Sequence, residues 1–275
     1  MAEDVVVITP SRGWQPLRLR ELWSFRELAA FVVWRELKVR YKQTVLGASW
    51  ALIQPILMTV IFTIVFGRWL RVSTGGTGPY AVFAFAAMVP WNLFSGSLSK
   101  GSQSLVSGSS LISRVYFPRL VLPIGTVLSY LVDFTIALAL LIVLLAVYGY
   151  YPSVEFLAVP IFVVLLLLAA LGASFLLAAA NAQYRDVQFA TPFLLQLWFF
   201  ATPVVYAVDV VPESFRLLYA MNPMVSVATG FRWAFLHGPS PFGPGLAVST
   251  AVAVLLVIAG AFYFKRMERN FADVL

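Results

Sequence analysis

"LVLPIGTVLSYLVDFTIALALLIVLLAVYGYY", residues 120–151, carries one formal charge, Asp133, along its whole length. About 20 apolar residues at roughly 1.5 Å each cross a hydrocarbon core about 30 Å thick. Lipid offers no partner to a backbone N–H or C=O, so a lone spanning segment satisfies itself as a helix. The rest of the chain agrees with that reading. Of its 275 residues 61% are hydrophobic and 11% are charged, where a soluble domain holds about a quarter charged. The mean hydropathy is +0.88. Such a chain cannot cover itself with polar surface in water, so the bilayer is its expected solvent.

Charge-free windows on either side supply the other spans. They run over residues 43–67, 80–99, 156–184, 187–208 and about 246–264. With 120–151 they make six, which puts both termini on one side. The expected fold is all-α and integral to the membrane, a single domain over 1–275. A tail and interface helix fill 1–42, a six-span bundle 43–264 and a second tail 265–275. Lysine and arginine set the orientation. Eight precede the first span (Arg12, Arg18, Arg20, Arg26, Arg35, Lys38, Arg40, Lys42). Lys100, Arg114 and Arg119 follow the second, Arg185 the fourth, and Lys265, Arg266 and Arg269 the sixth. Only Arg68, Arg71, Arg216 and Arg232 fall on the other side. Positive charge gathers inside, so both termini are expected in the cytoplasm. The net charge of +7 concerns orientation and implies no nucleic acid.

Two segments are not spans. In "SFRELAAFVVWRELKVRYKQT", Ser24 and Glu27 have capping-box spacing, with Trp23 and Leu28 in the staple positions. Leu28, Phe31 and Val32 share a face, and Arg35 to Lys42 crowd the far end. This predicts an amphipathic helix along the cytoplasmic interface, with Trp34 on it. On the outer side, "VPESFRLLYAMNPMVSVATGFRWAFL" (211–236) holds Pro212 and Pro223, each suited to start a helix. Two helices of this size are too short to cross. A re-entrant or interfacial hairpin is expected, acting as a lid on an exit path or serving as a plain outer loop. Its outer-gate candidates are Glu213, Phe215, Tyr219, Asn222, Pro223 and Phe231.

Chemistry is sparse. With no cysteine there is no disulfide or thiol nucleophile. His237, on the outer side, has no ligand partner at suitable spacing and reads as surface, so no metal site is expected. No nucleophile–base pair or paired carboxylate stands out, and no acidic metal motif of a glycosyltransferase. The chain reads as no enzyme. Asp133 invites proton coupling; a carboxyl hydrogen-bonded near Ser129 and Thr135 is the expectation. Asp186, beside Arg185, is placed to cap the fifth span.

Tryptophan and tyrosine normally mark the membrane interfaces, as Trp69 and Tyr80 are expected to do. Trp91 and Asn92, just after Pro90, lie mid-way along the second span. Trp198, Phe199 and Phe200 lie mid-way along the fifth. Mid-depth aromatics either pack helices or line a path for sugar rings, whose apolar C–H faces stack on aromatic planes.

The cytoplasmic loop between the second and third spans reads "SSLISRVYFPRLVLP", 109–123. Arg114 and Arg119 suit charge-assisted bonds to acidic groups, and Tyr116 and Phe117 an aromatic anchor. A loop that meets only lipid headgroups is the alternative. Four stretches resemble, in order, the permease subunits of ABC transporters that export polysaccharides, in the type-2 exporter class: "LKVRYKQTVLGASWALIQPIL", "MVPWNLFSGSLSKGSQSLVSGSSLISRVYFPRLVLP", "NAQYRDVQFATPFLLQLWFFATPVVY" and "NPMVSVATGFRWAFL". The resemblance runs from about residue 35 to 236. It implies a coupling helix within Ser109, Ser110, Leu111, Ile112, Ser113, Arg114, Val115, Tyr116, Phe117, Pro118 and Arg119, seated in a cleft of an ATP-binding subunit. It further implies two copies of that subunit and a homodimer of this chain. The cargo would be a lipid-linked glycan of O-antigen, capsule or teichoic acid type, and the location a bacterial inner membrane. The chain has no G-x-x-x-x-G-K-[ST] motif and no Gly-Lys dipeptide. ATP and magnesium would therefore bind in the partner, and no cofactor in this chain. A drug or small-lipid exporter of the same architecture, and a gradient-driven secondary transporter, are the other classes. The two halves lack the matched hydropathy of an inverted repeat, which argues against the latter.

Overall fold

The computed structural model describes residues 19–42, 49–112, 114–151, 153–268 and 271, all of them helix or connecting turn. The helices are α1 (Leu19–Ser24), α2 (Arg26–Tyr41), α3 (Trp50–Phe62), α4 (Tyr80–Gly101), α5 (Ser104–Ser107), α6 (Ser109–Ile112), α7 (Val121–Val147), α8 (Val159–Gln183), α9 (Val187–Phe200), α10 (Glu213–Tyr219), α11 (Pro223–Leu236) and α12 (Pro244–Met267). Among the described residues, five helical stretches are long and apolar enough to cross a membrane: Leu52–Trp69, Tyr80–Gly101, Val121–Val147, Val154–Gln183 and Pro244–Met267. The chain is an all-α, multi-pass membrane protein. Residues 43–48, the start of the expected first span, lie outside the described residues, as do Arg12, Arg18 and Arg269.

The centre of the bundle is α4. More than three quarters of its spanning window is buried, against about a tenth for Leu52–Trp69. Both α7 and α8 flank it, α11 covers its first turns, and α12 lies on the far side of α8. Where α8 meets α12, Gly172 faces Gly260. A Cβ added to Gly260 would lie 2.4 Å from the Gly172 carbonyl oxygen. In lipid the hydrophobic effect does not drive helices together, so close backbone approach at small residues supplies the packing.

The window 187–208 does not form one long helix. Its helix α9 has 14 residues, about 21 Å of rise. It ends because Thr202 turns its hydroxyl back to the Trp198 carbonyl and Pro203 has no N–H to extend the ladder. The turn that follows is held from the side. Tyr80 donates to the Val205 carbonyl at 2.7 Å. Arg232 donates to Val204 at 2.7 Å and to Tyr206 at 3.1 Å.

The capping reading at the amino-terminal helix needs correction. Helix α1 runs through Ser24, whose hydroxyl donates to the Glu21 carbonyl. Ser24 therefore does not cap α2, and Trp23 stays exposed and staples nothing. Helix α2 packs against α7. Val32 meets Gly125, and eight residues on in both helices Arg40 meets Asp133. The two helices thus run in parallel for about 12 Å, with Trp34 on the outward side.

Candidate functional site

The bundle has two ends of different chemistry. One gathers the α4–α7 connection, the ends of α8 and α12, and α2. The other gathers the turn after α9 with α10 and α11.

At the first end, the basic stretch divides by its own side chains. Among the described residues from Ser109 to Arg119, a single turn, α6, is helix. Ser109, Ser110, Leu111 and Ile112 make that turn, and Ser113 lies outside the described residues. Arg114, Val115 and Tyr116 are exposed, Tyr116 by about three quarters. Phe117 is buried beside Leu105, Leu122 and Phe264 in a second apolar core. Past the half-buried Pro118, Arg119 is engaged by the carboxy-terminal segment. Its backbone N–H donates to Glu268 Oε1 at 3.2 Å, its guanidinium donates to the Glu268 carbonyl, and the Phe271 ring lies 5.8 Å away. Lys265 pairs with the other Glu268 oxygen at 2.5 Å. Arg119 and Phe117 are therefore committed to the fold, and Arg114 with Tyr116 are the groups on offer. Arg185 and Asp186 are exposed near this end. Asp186 occupies the N-cap position of α9, but its side chain makes no cap bond.

At the second end, Trp91, Trp198, Phe199, Phe200 and Asn222 join in one network. Trp91 is buried between Phe94 at 5.7 Å and Phe199 at 5.5 Å, and Trp198 meets Phe94 edge-on at 5.0 Å. Phe200 packs edge-on against Phe199 and is more than half exposed. Asn222 is the hub. Its Oδ1 accepts from Trp198 Nε1 at 2.9 Å and from the Met224 N–H, which caps α11. Its amide donates to the Ala201 carbonyl and to Thr202 Oγ1. Pro223 sits in the first turn of α11, as its missing N–H allows. Tyr219 shares a hydrogen bond of 2.7 Å with Tyr206. Burial, and then that bond, push its phenol above the usual range, so the proton stays on. Glu213 and Phe215 are exposed on α10, while Phe231 is fully buried against Phe134 and Phe235. Trp69 is exposed, but Tyr80 is buried and turns its hydroxyl inward, so it is no belt residue. His237 is exposed and ends α11 in the left-handed conformation.

Two features escape a reading of the sequence. Arg232, counted among the outer-side cations, is buried on α11. It donates to the Phe83, Val204 and Tyr206 carbonyls and lies 3.5 Å over the Phe83 ring. An arginine alone in the apolar run 223–236 was the only signal. Asp133 is partnered by Arg40 and Tyr41 of α2. Thr135 bonds instead to the Leu131 carbonyl. Arg40 reaches Ser129 at 3.2 Å and covers the Tyr130 ring at 3.9 Å. The signal was the cost of a carboxylate in a span, which calls for a cation; the basic run 35–42 was there to supply it. Around this pair lies a cavity of about 370 Å³, walled by α2, α3, α4 and α7.

The chain is similar in sequence to known transport proteins. Residues 27–236 match the family model described as ABC-2 type transporter. The chain is 34% identical to the O-antigen export system permease protein RfbA of Myxococcus xanthus, over 93% of this chain and 98% of that one. It is 27% identical to a protein of the same name from Klebsiella pneumoniae, over 90% and 95%. Against the polysialic acid transport protein KpsM of Escherichia coli the figures are 24%, 85% and 91%. The chain is a membrane permease that belongs to the ABC-2 type transporter family.

Proposed function

We propose that this chain is the transmembrane subunit of an ATP-driven exporter that carries a lipid-linked, O-antigen-like polysaccharide from the cytoplasm across the inner membrane. The observation that carries the reading is near end-to-end similarity to permeases of O-antigen export. In this reading α9 and the turn after it complete a sixth crossing, both termini are cytoplasmic, and 211–236 is an outer re-entrant hairpin. Two copies of the chain meet two copies of an ATP-binding subunit, which holds ATP and magnesium. The stretch 109–119 takes the stroke of that subunit. Arg114, Val115 and Tyr116 face it, while Arg119 hands the movement to α12 through Glu268. Trp91, Asn92, Trp198, Phe199 and Phe200 border the path, and the α10–α11 hairpin closes its outer mouth through Asn222 and Tyr219.

The test compares two charge reversals in the complete transporter. Arg114→Glu should reduce recovery of the ATPase subunit on affinity purification and reduce glycan at the cell surface, with the permease's thermal stability unchanged. Arg119→Glu should lower all three, because it also breaks the contacts to Glu268. Full recovery and full export with Arg114→Glu would remove the coupling role from this stretch.

A further inference from the structure

The cavity between α2, α3, α4 and α7 has a lining that neither the ion pair nor helix packing accounts for. Gln54 on α3 and Asn92 on α4 both border it. Their side-chain amides make no hydrogen bond to another described residue. Gln54 is exposed and Asn92 half-buried on the cavity wall, so both amides can donate to and accept from a polar occupant. Trp50, half exposed at the wall, offers an indole face. Tyr130 offers less, because the Arg40 guanidinium already covers its ring. The volume of about 370 Å³ falls within the range of small-molecule sites, roughly 300–1,000 Å³.

Charge decides what kind of molecule fits. Arg40 is the cation of the cavity, and Asp133 neutralises it by direct pairing. A phosphate group would have to displace that carboxylate and would then lie beside it. A neutral polyol has no such conflict. Two amides, each both donor and acceptor, the free lone pairs of Asp133 and one aromatic face match the alternating hydroxyls and apolar C–H face of a pyranose. We infer that this cavity is a sugar-binding subsite, taking one hexose-sized unit through Gln54, Asn92 and Asp133, with its apolar face on Trp50. The inference rests on the glycan-export reading and narrows it: the cavity grips a sugar ring of the cargo, not its phosphate.

The chain has no cysteine, so Ser95→Cys gives a single reporter on the cavity wall that leaves Gln54, Asn92 and Asp133 in place. Its labelling by N-ethylmaleimide is followed in lipid nanodiscs with octyl glucoside or octyl phosphate added below its micelle concentration. Octyl glucoside at about ten times its Kd should slow labelling about tenfold, octyl phosphate should not, and Glu213→Cys on exposed α10 should respond to neither. Stronger protection by octyl phosphate would make the cavity an anion site and overturn the inference. Absence of protection by either amphiphile would overturn it as well. The second arm measures surface glycan in a strain lacking its own copy of this chain. If the wild-type chain fails to restore glycan, the export reading itself fails. If it succeeds and Gln54→Leu/Asn92→Leu exports equally well, the subsite alone is refuted. Export by that variant should fall several-fold, with complex recovery intact.

Discussion

Three side chains show how single residues tie this protein together. Asp133 lies mid-way along a 27-residue apolar helix, and the cost of a charge there is met by Arg40, 93 positions away. Removing one partner strands the other. A fully buried pair loses about 3–5 kcal/mol in that way. Both side chains here keep about a fifth of their surface exposed, so we expect about 2 kcal/mol for Arg40→Met after allowing for screening. The double variant Arg40→Met/Asp133→Leu should recover most of that loss. Thermal unfolding in detergent measures both, and equal losses in the single and double variants would show that the pair carries no coupling. The other two are Arg232 and Asn222. Arg232 uses the planar fork of its guanidinium on three carbonyls at once, which a lysine ammonium cannot reproduce. Arg232→Lys should leave at least one carbonyl unmet and cost about 1–3 kcal/mol. An unchanged melting temperature would deny it the role of clasp.

Helices here meet through small residues. Between α8 and α12 the contact at Gly172 and Gly260 is backbone on backbone, so neither helix can yield by turning a side chain. Gly260→Val should cost about 1–3 kcal/mol through forced separation. On the same helix, a Cβ at Gly245 meets only the Ala220 methyl at 3.5 Å. Gly245→Ala should therefore stay within about 0.5 kcal/mol. Equal melting temperatures for the two variants would show that the helices do not depend on that approach. The same logic seats α2, where a Cβ on Gly125 would strike Val32 and the Ala29 carbonyl. Elements were legible in the sequence where one property decided them. The long apolar windows appear as helices, and Pro223 opens α11 after an Asn222 cap. The Ser24 capping box failed because α1 had already taken that serine into its own last turn. Window 187–208 fell short as a single helix because Pro203 and the Thr202 back-bond end α9, a local event that hydropathy averages over.

The whole molecule has a predicted orientation that follows from its charge asymmetry. Cysteines placed singly in the cysteine-free chain report it. In intact cells a membrane-impermeant maleimide should label Glu213→Cys and leave Arg114→Cys unlabelled until the membrane is opened. Labelling of Arg114→Cys from outside would reverse the topology and with it the coupling role of 109–119. The candidate site was legible in outline: the basic loop and the mid-depth aromatics were visible as departures from an apolar background. Which of their members stay free was not. Tyr116 and Phe117 are neighbours of like chemistry, yet one is exposed and the other buried.

Hydropathy alone settled the solvent, the class and the long helices, because lipid requires each crossing segment to satisfy its own backbone. That requirement acts along the chain and can be read along it. Tertiary structure decided the rest. It paired Arg40 with Asp133, turned Arg232 onto the turn after α9, committed Arg119 to Glu268 and opened a polar cavity beside α4. Each of these depends on which helix faces meet across many tens of residues, and a local pattern holds no record of that.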